Sequence, residues 1–550
     1  DEQQNRFNRT FLKFVREICV SNKPLALFID DLQWADRASL NLLKQLLSDT
    51  DSRYCLILGA YRDNEVDERH PFMQMLNELS SHTRLSQIQL RPLAAPVVER
   101  LIADTLHRPQ NAVRELAELV YQKTAGNPFF LRQFLQELYQ SELLDFDYAQ
   151  QHWHWSVSAI QQQHMTDNVV DLMIRKIDRL PTACRRLLQQ GACIGGTFSL
   201  SLLQRLNESN LDLYDTLSPA FDAGLLIAQG NSQDSCGLPA HLRFQHDRVQ
   251  QAAYATLDHP QRTQIHYQIG QHLLASLKGG DTHAQCFDLA NHFNQARTLL
   301  TATETFRVIQ INYQAALKAK TAAAYSTALL YLDQLFQLGN KAGFDDENLH
   351  TRALMEQLEC LYLAGEYERA EQLKSIVEGH CQNSQLRVQL HNILITQYTR
   401  YGELQRAIDQ ALTALQELGY PLPAAPTMDD IGAAIADAQQ ALQQLPFAEL
   451  AKQPAADDPA ILHILDILMA MQPCCYNSGS PLFPLTILGL LKLTMQYGNS
   501  PYSSYVYMMY GLMCTKVLKD YDSAFEAAHY SDQIAQHYPA NPLLQGRLSM

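Results

Sequence analysis

Apolar residues change their spacing several times along the first hundred positions, and each change marks an element. Phe7, Phe11, Phe14, Val15 and Ile18 recur at helical spacing and predict a helix over 6–20. LALFI (25–29) is apolar without a break and bounded by polar residues. That is the pattern of a strand buried in a parallel sheet. ASLNLLKQLLSD (38–49) returns to helical spacing, and YCLILGA (54–60) reads as a second buried strand. PFMQMLNELSS (71–81) is helical with Pro71 suited to its first turn, and SQIQLRPL (86–93) is a third, weaker strand. Strands and helices alternating this way predict a parallel sheet flanked by helices.

Beyond Leu93 the pattern is almost wholly helical. AAPVVERLIADTLH and NAVRELAELVYQKTAG are separated by Arg108-Pro109, and Gly126-Asn127-Pro128 precedes FFLRQFLQELYQSELL. Clustered aromatics around 145–165 predict a short strand or loop. Three short helices follow from 166, then GLLIAQG and HLRFQHD as two strands of a hairpin with the polar tip GNSQDSCGLP. Three helices and a two-stranded wing suggest a winged-helix domain. From about 263 a loose repeat sets in. YSTA, GEYERA, GELQRA and KDYDSA end at Ala328, Ala370, Ala407 and Ala524, roughly forty residues apart or a multiple of that, as in a tetratricopeptide-like solenoid. An Ala/Pro-rich stretch (421–460) interrupts it with a helix bracketed by loops. The expected organisation is multidomain: a partial α/β P-loop NTPase core (1–93), a helical lid (94–165), a winged-helix domain (166–262) and an all-α, TPR-like solenoid (263–550).

Composition narrows the function. There are 43 basic and 58 acidic side chains, a net charge of −15, which argues against a nucleic-acid or anionic-membrane binder. Residues 166–258 hold 8 basic and 10 acidic side chains, a poor match to DNA. Eleven cysteines are scattered with no CxxC pair, as expected of free thiols in a reducing cytoplasm. No signal peptide opens the chain, and no window reaches the ~18 uninterrupted apolar residues of a membrane span. The nearest, LFPLTILGLLKLTM (482–495), contains Pro484 and Lys492 and reads as helical core. The first residue is Asp, so a piece of something larger is expected.

The first apolar strand runs straight into Asp30 and Asp31. Ligands of open parallel sheets bind beyond the carboxyl ends of the strands. An aspartate there can hold Mg²⁺, directly or through water, against nucleotide phosphates, and an adjacent acid can orient the attacking water. Alternating strand residues point opposite ways, so Asp30 is assigned to the ion and Asp31 to the γ-phosphate side. The competing reading is that Asp31 or Asp36 caps the helix beginning near Arg37. YCLILGAYRD places Arg62 at the end of the next strand, beside the acids, where it can sense γ-phosphate charge. Its alternative is a salt bridge with Asp63 or Glu65.

FIDDLQWAD followed by GAYRDNEV resembles the Walker B and sensor-1 segments of signal-transduction ATPases with numerous domains, the STAND class. TAGNPFFLRQFL resembles that class's Gly-x-Pro motif, which implies that Pro128 packs by the adenine. FQHDRVQQAAY resembles the family's pattern at the end of the winged helix, and implies His246 as a contact to the ADP β-phosphate, against the plainer role of a structural His at a hairpin end. YGNSPYSSYVYMMYGLM (497–513) resembles a branch of very long bacterial proteins in which a Ser/Thr kinase precedes the ATPase and a GAF and histidine kinase follow. The resemblance implies a cytoplasmic ATP/ADP and Mg²⁺ switch, protein partners along the helical repeats, and kinase domains in the same parent chain.

One departure matters. No GxxxxGK[ST] occurs in the 550 residues. In the family the P-loop lies upstream of Walker B, so the chain is expected to start after it and to be catalytically incomplete. Two alternatives stay open: a STAND-type transcription regulator, and a TPR-like interaction scaffold with a degenerate ATPase core.

Overall fold

Strand β1 (Leu25–Ile29) lies parallel to β2 (Cys55–Gly59), with Leu25 opposite Cys55 and Ile29 opposite Gly59. The computed structural model describes residues 2–67, 70–80, 85–148, 151–162, 169–207, 212–233, 239–277, 282–344 and 347–537. It divides into two compact units: Asp1–Thr83 with Ala316–Phe336 and Gly343–Met550, and Arg84–Ala315 with Gln337–Ala342.

In the first unit α1 (Glu2–Ile18), α2 (Arg37–Ser48) and α3 (Pro71–Ser80) surround this strand pair. Phe11, Leu12 and Val15 of α1 pack with Leu46 of α2 on Leu25, Cys55 and Ile57. Leu40 and Leu43 meet Phe72, Met75 and Leu79 over Ile29 and Ile57. Arg16 pairs with Asp49 beyond the end of α2, and the guanidinium holds that carboxyl down at about 2.

Two expectations are corrected here. The strands are not buried on both faces: Phe28, Leu56 and Leu58 point away from the helices and are 63%, 57% and 47% exposed. The three helices pack on one face, and the other stays open among the described residues. Nor do residues 86–93 form a strand. Ile88 and Leu90 lie in solvent, because a strand needs a neighbour to share its ladder and the sheet here has only β1 and β2 among the described residues.

The second unit begins with α4 (Ala95–Leu106), α5 (Gln110–Thr124) and α6 (Pro128–Gln140). The aromatic stretch forms an antiparallel hairpin of β3 (Leu144–Asp147) and β4 (His152–Trp155), followed by α7 (Val157–Gln162). The expected helices are α8 (Val169–Asp178), α9 (Thr182–Ile194) and α10 (Leu200–Leu206). Between α9 and α10 runs β5 (Thr197–Ser199), and α11 (Leu213–Asp222) follows α10; neither was expected. The hairpin is β6 (Leu226–Gln233) and β7 (Pro239–Phe244), and β5 pairs with β7, so the sheet has three strands. Residues 234–238 of the expected polar tip lie outside the described residues. One apolar core runs from Val98 of α4 through Phe134 of α6 and Leu188 of α9 to Val249 of α12 (Asp247–Ala255). Helices α13 (His259–Ala275) and α14 (Cys286–Gln295) fall in this same unit.

The rest is helical. After α15 (Ala302–Thr321) come α16 (Tyr325–Ala342), α17 (Glu347–Ala364), α18 (Tyr367–His380), α19 (Ser384–Arg400) and α20 (Leu404–Glu417). Ala328, Ala370 and Ala407 are each the fourth residue of α16, α18 and α20, and each is fully buried. A small residue there lets the paired helices approach. Glu371 of α18 ties the turns together: it accepts from Tyr362 (2.6 Å), Tyr398 (3.2 Å) and Arg406 (3.0 Å), on α17, α19 and α20.

The interruption holds α21 (Met428–Gln444) and the short α22 (Phe447–Leu450). Then follow α23 (Pro459–Asn477), α24 (Leu482–Tyr497), α25 (Ser503–Met513) and α26 (Tyr521–His537). In α26 the closely packed residue is Ala527, against Gly511, and Ala524 is only half buried. Helix α23 is long and apolar enough to cross a membrane by length and composition. It packs against α19, α20 and α24 with Leu468, Met471 and Cys475 buried, as a core helix does. The Tyr497–Met513 stretch also proves structural. Asn499 donates to Leu450 O (2.8 Å) and accepts from Tyr507 (2.7 Å), clasping the interrupting segment to the start of α25.

Candidate functional site

The turn after β1 is built to expose carboxylates. Asp30 leaves the strand exposed, and one of its oxygens accepts the Asp31 amide at 3.0 Å. Asp31 then takes φ 53°, ψ 42°, a left-handed conformation that costs a non-glycine residue roughly 1 kcal/mol or more. The pleat ends at Ile29, so this turn, and not strand alternation, separates the two acids. Leu32 re-anchors the chain by donating to Ala60 O (3.0 Å). Its side chain fills the space above Gly59, where an added Cβ would come within 2.5 Å.

Asp36, not Asp31, caps α2: its side chain accepts from Ser39 N at 2.7 Å. Asp31 is left for other partners. Gln33, buried, donates to Asp31 Oδ1 at 2.9 Å, and its own oxygen accepts the Arg62 amide at 3.2 Å. Arg62 Nε lies 3.6 Å from Asp31 Oδ1, and its Nη1 donates to Glu65 at 3.2 Å. Trp34 lies under the guanidinium at 5.5 Å and donates to Glu65 at 3.2 Å. The arginine expected beside the acids therefore pairs with Asp31 and with Glu65. Gln33, the bridge, was not expected; a polar residue one step inside FIDDLQW was its only signal.

Pro128 and His246 belong to the second unit, Asp30, Asp31 and Arg62 to the first. Pro128 opens α6, capped by Asn127, whose side chain accepts from Phe130 N at 3.0 Å. Gly126 has φ +74° and accepts the Leu93 amide, and a Cβ there would sit 2.1 Å from Leu93 O. The glycine and asparagine of TAGNPFF thus have local structural reasons. His246 caps α12 through Nδ1, which accepts from Arg248 N at 3.2 Å, and it pairs with Asp247. Its ring stacks on Phe129, the residue after Pro128, at 4.2 Å. Pro128 and His246 are therefore brought near one another through a ring that no motif position pointed to.

Comparison with known proteins agrees with the first unit's beginning. Residues 1–58 match the AAA ATPase domain family. The whole chain is similar to hybrid signal transduction histidine kinase G of Dictyostelium discoideum, at 21% identity over 690 aligned residues, 20% of that protein. It is 22% identical over 218 residues to peroxide stress-activated histidine kinase mak3 of Schizosaccharomyces pombe, covering 38% of this chain and 9% of that one. The chain thus spans a fifth or less of the length of these relatives. Among solved structures it is similar to a STAND protein with a tetratricopeptide repeat sensor from Pyrococcus horikoshii. That likeness is 11% identical, has a TM-score of 0.37, and covers 99% of this chain and 83% of the other. Residues 1–58 thus resemble an AAA ATPase domain, in a chain similar along its whole length to a hybrid histidine kinase.

Proposed function

We propose that this chain supplies the acid and arginine side of an ATP-binding regulatory switch in a signalling protein. The observation that carries it is the Asp31–Arg62 pair at the carboxyl ends of two parallel strands, 3.6 Å apart, with Asp30 exposed beside them. Asp30 fits Mg²⁺ by its chemistry. It is a hard oxygen donor, exposed, with one oxygen on a backbone amide, suited to an ion that keeps several of its waters. When bound, the ion would neutralise phosphate charge. Asp31 would orient water, and Arg62, released from a carboxylate partner, would meet the γ-phosphate. Pro128 and His246 are proposed to contact adenine and β-phosphate.

The names of the relatives support a parent chain with histidine kinase output, and the resemblance in sequence adds a Ser/Thr kinase. The helical repeats are proposed to receive a protein partner, in the cytoplasm. Binding of a fluorescent ATP analogue by the full-length protein tests the reading. Mg²⁺-dependent binding lost in Asp30→Ala supports it. Binding unchanged in Asp30→Ala and in Arg62→Ala sinks it.

A further inference from the structure

Helix α21 carries its alanines on one side. Ala434, Ala438 and Ala441 follow helical spacing, and this side packs towards α24. These short side chains do not fill the space beside α24. A cleft of about 650 Å³ remains, walled by these alanines with Leu485 and Leu488 of α24, within the usual range for small-molecule sites.

Two hydrogen-bond donors meet at its wall. The Tyr420 hydroxyl lies against α24 at Gly489, so close that a Cβ on that glycine would be 2.9 Å from it. Lys492 is three residues further along the same helix, which puts it on the same face about 5–6 Å from position 489. Both residues line the cleft. Neither the Tyr420 hydroxyl nor the Lys492 ammonium has a side-chain hydrogen bond or ion pair among the described residues. Burial alone pushes the Tyr420 phenol's pKa up. The Tyr420 hydroxyl is a partly buried donor, which is costly without a partner, whereas Lys492 is exposed; the cleft they share is lined by apolar side chains and by Gln440, Gln444 and Gln496. Two acids also line the cleft. Asp430 is engaged at the start of α21, accepting the Thr427 amide (2.8 Å) and hydroxyl (2.7 Å), whereas Asp437 is exposed.

We propose that the cleft between α21 and α24 binds a small amphiphilic carboxylate, its hydrocarbon chain along the alanine side and its head between Lys492 and Tyr420. The head takes one charged and one neutral donor, and the chain takes the alanines of α21 with Leu485 and Leu488. This site is separate from the nucleotide reading and stands or falls without it.

Titration of sodium decanoate into the full chain, followed by calorimetry, tests the proposal, with decylamine and decanol as parallel ligands. Decanoate should bind with the other two at least about tenfold weaker. Lys492→Met should weaken decanoate binding about tenfold, and Tyr420→Phe several-fold, as expected for bonds to a charged head. Ala438→Phe should close the cleft to all three. Melting curves check that each variant is folded; Lys492 is exposed, so its variant decides the matter if Tyr420→Phe unfolds. No heat from decanoate up to roughly 1 mM, equal binding of decylamine, or unchanged affinity in Lys492→Met would each overturn it.

Discussion

Phe129 and His246 lie face to face, ring centroids 4.2 Å apart and planes 21° from parallel. One residue lies in the first turn of α6, the other caps α12, so the stack joins two segments more than a hundred positions apart in sequence. The contact and the cap can be separated. His246→Asn should keep a capping acceptor and lose the ring, and His246→Phe the reverse. In urea unfolding, a double-mutant cycle with Phe129→Leu should give a coupling of about 0.5–1.5 kcal/mol. Zero coupling would mean the rings merely adjoin.

Asp30 and Asp31 should part company in the full-length protein. Asp30→Ala should weaken Mg²⁺-dependent nucleotide binding. Asp31→Asn should leave binding largely intact and slow turnover, because it keeps the shape of a side chain that accepts from Gln33. Equal effects on affinity and rate would remove the division of labour. The 550-residue chain by itself, with no GxxxxGK[ST], should release no phosphate from ATP above a buffer control.

His266 and His292 form a buried pair, Nδ1 to Nδ1 at 2.9 Å, with Tyr254 on the far nitrogen of His266 at 3.3 Å. One ring must donate and the other accept, which two neutral imidazoles of opposite tautomer can do. Burial, with Arg262 beside His266 and His266 beside His292, lowers both from 6.5 to about 4. The unfolded chain therefore binds more protons than the folded one between pH 6.5 and 4. Stability is full above that window and falls as the pH drops through it, by about 3 kcal/mol per histidine at that shift. The two rings are in contact, so their losses are not additive. Thermal melts from pH 7 to 4 should show the drop, and His292→Gln should flatten it. A His292→Gln curve parallel to the parent's would place the acid sensitivity elsewhere.

Ala370 and Ala407 are fully buried where paired helices meet, and Ala424 is exposed in the interrupting segment. Leu at either of the first two should overpack the contact and cost roughly 1–3 kcal/mol. Ala424→Leu should cost little. The measurement is a set of denaturant curves on the intact chain. A loss at Ala424 equal to that at Ala370 would show that the repeat register is wrong.

The sequence by itself determined the elements that local physics controls. The strand at LALFI, the stripe of α1 and the first-turn alanines of α16, α18 and α20 were legible because a short apolar run and helix pairing each leave a local pattern on the chain, though the run did not tell that the face of Phe28 would stay open. The acids after β1 and Arg62 after β2 were legible for a similar reason: one strand–helix–strand step returns the chain to the same edge of the sheet.

Tertiary structure decided what spacing cannot encode. It made Asp36 the cap and left Asp31 to Arg62, a choice set by a left-handed turn at Asp31 and a buried Gln33. It left 86–93 without a strand, because pairing belongs to two segments and not to one. It made Asn499 a clasp, though the surrounding motif had drawn notice only by resemblance. It set Tyr420 against Gly489, where a missing Cβ gives the hydroxyl its place. These outcomes depend on which side chains arrive together from distant positions, and on which polar atoms then find partners; that is a property of packing in three dimensions, to which no single stretch of sequence has access.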